Sequence, residues 1–154
     1  PTDLAVAVLG SGGMAKAAVA AVRDEGFAAV TVVARNPATG PALADKYGAA
    51  YAATMGDLRP GLILNASPVG MSGGPDAAAM PVPSEAVAAA EVVFDVIHLP
   101  SETPLIRHAR ELGRRVIHGG EVAALQAAEQ FTLYTGVALT DDQITRARAF
   151  SQGG

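Results

Sequence analysis

The chain has no cysteine. That absence removes disulfides, thiolate nucleophiles and thiolate metal sites together. Aromatic residues make up only 5% of the sequence, so a core must be built mainly from aliphatic side chains and alanine. Positive charge is not in excess. The formal net charge is −4 over 154 residues, which leaves no basic footprint for nucleic acid. No apolar run reaches the length of a membrane span. The N-terminus lacks the charged start and apolar stretch of a secretory signal. A cytoplasmic location with no nucleic-acid or membrane partner and no metal is therefore the expectation. Pro1 fits a natural start after methionine removal and fits a trimmed piece equally.

Half of the residues are apolar, and the length suffices for one domain with a buried core. Apolar runs alternate with amphipathic helical stretches, the pattern of a parallel sheet covered on both faces. The strands are expected at Leu4–Leu9, Val30–Ala34, Ala49–Ala52, Leu62–Asn65, Val92–Ile97 and Arg115–Ile117. Helices are expected at Met14–Glu25 before Gly26, at Pro41–Tyr47 before Gly48, and from Pro104 to Gly113. A long helix follows at Glu121–Thr135 before Gly136. Thr103-Pro104 reads as an N-cap with proline at the first helical position. Thr140 and Gln143 have capping-box spacing and open a last helix, with Ser151-Gln152-Gly153-Gly154 frayed. The longest loop runs from Ser67 to Pro83. The fold class is α/β, a Rossmann-type doubly wound, mainly parallel six-stranded sheet in the order 3-2-1-4-5-6.

Gly10-Ser11-Gly12-Gly13-Met14-Ala15 lies between the first strand and the first helix. It reads G-x-G-x-x-A, a form of the dinucleotide fingerprint. Gly10 permits the tight turn, Gly12 admits a diphosphate close to the backbone, and Ala15 lets helix and strand approach. The first N–H groups of the helix then face the phosphates. A glycine-rich turn without a ligand is the plainer reading, and the strand–turn–helix context weighs against it. NAD sites usually carry an acid at the end of the second strand. This chain has Ala34-Arg35-Asn36 there. Arg35 suits a 2′-phosphate through a charge-assisted, bidentate pair, with Asn36 and Thr39 adding hydrogen bonds. The plainer reading of Arg35 is a solvated surface charge. NADP is favoured over NAD.

Later motifs are more specific. Asn65-Ala66-Ser67-Pro68-Val69-Gly70-Met71 follows the fourth strand, and Asp95-Val96-Ile97-His98-Leu99-Pro100 follows the fifth and runs into Glu102-Thr103-Pro104-Leu105. Gly119 precedes Gln126, which is followed by Gln130-Phe131 and Tyr134-Thr135-Gly136. In this order, behind Gly10-Ser11-Gly12-Gly13, they resemble the C-terminal, NADP-binding domain of the shikimate dehydrogenase family across nearly the whole chain. His98 and Leu99 stand where the common family pattern has Tyr and Asn, and Val122-Ala123 where it has Met-Leu. These departures point to a divergent branch, while Gly10-Ser11-Gly12-Gly13-Met14-Ala15-Lys16-Ala17 and Ala34-Arg35-Asn36 look closer to the shikimate-dehydrogenase-like subgroup, and His98 puts the substrate in question.

The resemblance implies that Asn65, Ser67 and Met71 flank the nicotinamide and its ribose, and that Gly119 lets backbone approach the ring. It implies that Gln126 binds substrate hydroxyls and that His98 lies near substrate. Plainer readings stand beside these: Gln126 as a helix-surface amide, Met71 as packing, and Asp95 as a holder of loop N–H groups. The resemblance also implies a preceding substrate domain with a Lys–Asp pair for proton transfer, and none of that sequence is here. Lys16 and Lys46 are misplaced for a base. His98 has a suitable imidazole, though a packing or hydrogen-bonding role weighs more, and His108 and His118 are weaker candidates. His108 sits in a helix face expected to be solvated. The expectation is therefore a nucleotide-binding domain, residues 1–154, of a two-domain NADP enzyme acting on a shikimate-like ring acid. It has no catalytic residue of its own and an undetermined oligomeric state. The competing expectation is a non-catalytic NADP-binding sensor or partner module.

Overall fold

The computed structural model describes the backbone of residues 2–152 and the side chains of residues 2–146. Twelve elements follow in chain order among them. They are β1 (Val6–Leu9), α1 (Gly13–Asp24), β2 (Val30–Val33), α2 (Thr39–Tyr47), β3 (Ala50–Ala52) and β4 (Leu62–Asn65). The second half adds α3 (Ser84–Ala89), β5 (Val92–Asp95), α4 (Pro104–Glu111), β6 (Arg115–His118), α5 (Gly119–Thr135) and α6 (Asp141–Gln152). The sheet runs β3-β2-β1-β4-β5-β6. Every pairing is parallel. This is a Rossmann-type doubly wound sheet, with the strand order expected from the sequence.

Alternation along the strands sorts the core into two layers. Ala7, Leu9, Ile63 and Val93 point to one face and pack with Ala86 and Val87 of α3 and Leu105 and Ala109 of α4. Val6, Val8, Val32 and Leu64 point to the other and pack with Ala15 and Val19 of α1 and Leu43 and Ala44 of α2. Both faces are covered, so successive strand residues are both apolar, as a buried parallel strand requires. Alanines at the contact positions let the helices lie close to the sheet. Among the described residues no helix is long and apolar enough to cross a membrane.

The element ends differ from expectation for local reasons. β1 starts at Val6, and Leu4 instead packs over Gly61, whose missing Cβ leaves it room. α2 starts at Thr39, two residues ahead of Pro41, because the Asn36 side-chain oxygen accepts the N–H groups of Ala38 and Thr39. Pro41 costs the first helical turn nothing, since its missing N–H would find no partner there. β5 stops at Asp95, whose own carboxylate takes the Ile97 N–H at 3.1 Å and turns the chain out of the sheet. β6 gains His118 and α5 begins directly at Gly119. Helix α3, six residues burying Ala86 and Val87, has no counterpart in the sequence reading. It is too short for a helical period to show. Thr103 does cap α4, and Thr140 and Gln143 form the reciprocal capping box. Ser151 and Gln152 continue α6 rather than fray, while Gly153 and Gly154 lie outside the described residues.

Candidate functional site

At the carboxyl end of β1 the chain turns sharply and enters α1. Gly10 has φ +103°, a conformation closed to L side chains at low cost, and a Cβ there would stand 2.9 Å from the Ala66 carbonyl oxygen. Its N–H donates to the Val33 carbonyl at 2.9 Å. The turn is thus wedged between the ends of β2 and β4. Gly12 is the N-cap of α1 and no side chain caps the helix. A Cβ on Gly12 or Gly13 would meet nothing within 4 Å. Gly10 is therefore glycine for the fold, whereas Gly12 and Gly13 keep open space in front of uncapped helix N–H groups. Ala15 is fully buried against the sheet and Met14 is half exposed.

The Gly12 side of that open space belongs to a cleft of about 940 Å³ along the carboxyl edge of the sheet, whose lining stops short of Gly13, Met14 and Ala15. Leu9, Gly10, Ser11 and Gly12 form its floor. Arg35 and Asn36, beyond β2, form one wall, and Asp76 with Met80–Pro83 forms the opposite one. Ser11 Oγ lies 2.7 Å from Thr39 Oγ1, which ties the turn to the start of α2. The Arg35 side chain is 78% exposed, and its Nη2 lies 3.6 Å from Asp76 Oδ2. Asn36 spends its Oδ1 on the α2 start. Among the hydrogen bonds of the described residues, its Nδ2 donor stays uncommitted, and a donor is the end of the amide that an anion needs.

A buried polar cluster fixes the next stretch of the edge. Asn65 has no exposed surface. Its Nδ2 donates to Asp95 Oδ1 and the Val69 carbonyl. Its Oδ1 accepts from the Ser67 N–H and Ser67 Oγ. All four hydrogen-bonding positions are used, so the side chain expected to flank a ribose instead faces inward and shapes the loop that holds Ser67 and Val69. Those two residues line the cleft. Asp95 is also fully buried and accepts from Thr103 Oγ1 at 2.7 Å, the Ile97 N–H and Asn65. Burial pushes its carboxyl above the ordinary value, against the pull of those three donors. It holds loop groups in place, as the plainer reading had it, but the Thr103 hydroxyl was not foreseen as one of them.

The other expected residues are not gathered at this cleft. Met71 is exposed and absent from the cleft walls. Gly119 is buried at the start of α5, and a Cβ there would fall 2.4 Å from the Ile97 carbonyl oxygen and 2.5 Å from that of Val96. Its missing Cβ lets α5 start against the backbone leaving β5, a packing demand that stands beside any approach to a ligand. Gln126 is exposed on α5 and lines neither the cleft nor the hollow beside it. His98 is exposed too and lines that separate apolar hollow of about 360 Å³ with Ala123, Ala127, Phe131 and Ile144. His108 corrects its expectation: it is half-buried, with Nε2 2.6 Å from Ser84 Oγ and Nδ1 3.5 Å from Glu111, and it ties α4 to α3. His118 is buried and pairs with Glu121 at 3.4 Å. Asp76 is the charged cleft residue with no signal in the sequence, and Thr54 and Met80 also line the cleft without one. Asp76 lies in the recognised Ser67–Pro83 loop, and nothing in the local sequence aims it at Arg35.

No protein-family model matches the chain. It is 42% identical over 147 residues to the shikimate dehydrogenase-like protein of Haemophilus influenzae, covering 96% of this chain and 54% of that protein. It is 36% identical over 148 residues to the NADP(+) shikimate dehydrogenase of Sinorhizobium medicae, covering 92% of this chain and 51% of that one. Among solved structures, a shikimate 5-dehydrogenase-like protein superposes with a TM-score of 0.94 at 41% identity, over 99% of this chain and 56% of its own. The shikimate 5-dehydrogenase of Thermus thermophilus, solved with NADP(H) and shikimate, superposes with a TM-score of 0.83 at 29% identity, over 98% of this chain and 56% of its own. The chain thus spans about half the length of the curated relatives it matches.

Proposed function

Because the chain is a homologue of the shikimate dehydrogenases over about half of their length, we propose that it is the NADP-binding domain of an oxidoreductase of that kind. The proposed parent interconverts a secondary alcohol and a ketone on shikimate, quinate or a similar polyhydroxylated ring acid. The observation that carries this is the pairing of an open, uncapped helix start at Gly12-Gly13 with a guanidinium at the end of β2 across one cleft. A diphosphate fits the first, since helix N–H groups and the helix dipole favour an anion there. A 2′-phosphate fits the second, because Arg35 offers a planar fork of donors.

The chain's own residues divide the work. Gly10 sets the turn, Ser11 braces it against Thr39, and Gly12, Gly13 and Met14 present backbone N–H groups. Ala15 lets the helix sit low on the sheet. Arg35 and the Asn36 Nδ2 take the 2′-phosphate. Asn65 acts at one remove, by setting Ser67 and Val69 along the nicotinamide half of the cleft. Met71, Gly119, Gln126 and His98 lie outside the cleft lining, and a second domain carrying the substrate would bring them into the completed site. When bound, the cofactor supplies or accepts the hydride. The proton of the alcohol needs a separate base; among the described residues no lysine lines the cleft, and its one lining carboxylate, Asp76, faces Arg35. Lys16 is exposed on the first turn of α1. We therefore assign this chain nucleotide binding without turnover of its own.

The test is a paired titration. Wild-type chain and Arg35→Ala are titrated with NADPH and with NADH, following nucleotide fluorescence. Losing a charge-assisted contact to an exposed guanidinium is expected to weaken NADPH about tenfold and to leave NADH nearly unchanged. An equal loss for both nucleotides removes the 2′-phosphate role. Shikimate oxidation by the purified chain above background would remove the assignment of proton transfer to another domain.

A further inference from the structure

The acid that NAD sites carry at the end of the second strand is missing from β2, yet a carboxylate from the Ser67–Pro83 loop stands beside Arg35 in the same cleft. Asp76 Oδ2 stands 3.6 Å from Arg35 Nη2, and both residues line the cleft. The Asp76 side chain is 44% exposed and therefore open to a ligand. Its backbone is not loose. The Asp76 carbonyl accepts the N–H groups of Gly70 and Ala79, each at 3.0 Å. Turns from Met71 to Gly74 and from Gly74 to Ala77 brace the same loop. The backbone that carries the carboxylate is thus held beside the guanidinium by main-chain bonds that do not depend on the ion pair.

We propose that Asp76 is a specificity-determining residue of this cleft and that it narrows the preference for a 2′-phosphorylated nucleotide over its 2′-hydroxyl counterpart. The proposal rests on the reading of Arg35 given above. A phosphomonoester carries about −1.5 to −2 charges near neutral pH. To reach Arg35 it must share one guanidinium with a carboxylate already beside it, or displace that carboxylate. Either course opposes the phosphate, since two anions then stand within a few ångströms. A ribose 2′-hydroxyl meets no such opposition. It is a donor, and a carboxylate is an acceptor with free lone pairs. Arg35 and Asp76 together make a two-sided selector. Arg35 favours the phosphate, Asp76 favours the hydroxyl, and the observed preference is their difference.

The experiment is Asp76→Asn, which keeps shape and removes charge. It is titrated with NADPH and NADH beside wild type and Arg35→Ala. The weight of an exposed charge pair sets the expected size. The ratio of the NADH to the NADPH dissociation constant should rise about two- to five-fold, chiefly through tighter NADPH, and the rise should shrink at high salt. A ratio that stays put or falls overturns the role of Asp76. The arms separate the two claims. If Arg35→Ala lowers the ratio while Asp76→Asn leaves it alone, the Arg35 reading stands and the Asp76 inference fails. If Arg35→Ala leaves the ratio alone, the 2′-phosphate reading itself fails.

Discussion

Gly10 and Gly12 are two residues apart and, on this account, glycine for opposite reasons. Replacing each by alanine should separate fold from binding. In Gly10→Ala the new methyl sits at φ +103° and 2.9 Å from a backbone oxygen. Backbone strain of that kind costs on the order of 1–3 kcal/mol, and overpacking against main chain adds a similar amount. A loss of about 3 kcal/mol or more is expected, a fall in Tm on the order of 10 °C for a domain of this size. In Gly12→Ala the backbone is extended, φ −78° and ψ −168°, and the methyl meets no atom within 4 Å. Alanine is a poorer N-cap than glycine, so about 1 kcal/mol is the most it should cost. The methyl instead enters the space assigned to the diphosphate, and NADPH affinity should drop at least about tenfold, near 1.4 kcal/mol. Urea denaturation reads the first effect and NADPH fluorescence titration of the folded protein reads the second. If Gly12→Ala melts like Gly10→Ala and still binds NADPH as wild type does, the reasoning about this turn is refuted.

Two further outcomes follow from the buried cluster behind the loop. Burial raises the Asp95 carboxyl above 3.8, so the folded chain binds its proton more tightly than the unfolded chain does. That contribution to stability is complete below the ordinary value and is lost as pH rises through the raised one. Asp95→Asn should therefore show a less negative slope of unfolding free energy than wild type as pH rises above the ordinary carboxyl value in urea titrations, and parallel slopes would contradict the assignment. Thr103 both caps α4, at 3.2 Å from the Ile106 N–H, and donates to Asp95. Thr103→Val should cost about 2–3 kcal/mol in chemical denaturation, one lost cap and one lost hydrogen bond to a buried carboxylate. Thr103→Ser should recover most of it, and a Thr103→Val protein as stable as wild type would deny the double role.

The sheet order was legible because each strand is a short apolar run closed by glycine or a polar turn, and the helices α1, α2 and α4 are long enough to show a stop. The phosphate turn was legible because its small residues are consecutive. What escaped reading depends on contacts between segments distant in sequence. Nothing near Gly119 announces that the Ile97 carbonyl will stand where its Cβ would be. Asn65 looked like a ligand contact because it ends a strand at the right edge, but its partners Asp95 and Val69 come from another strand and a loop. Asp76 faces Arg35 only because the long loop brings it to the residue that follows β2. Helix α3 was silent for a different reason: six residues make too little pattern, and its place is set by Ala86 and Val87 packing under the sheet.

The central claim is that NADP is held on the α1 start and at Arg35. Amide chemical-shift mapping of the chain during titration with NADP+ tests it directly. Saturable shifts should be largest at Gly12, Gly13, Met14, Arg35 and Asn36. Shifts concentrated instead at Ala127 and Phe131 beside His98, or no saturable shifts at all, would contradict it.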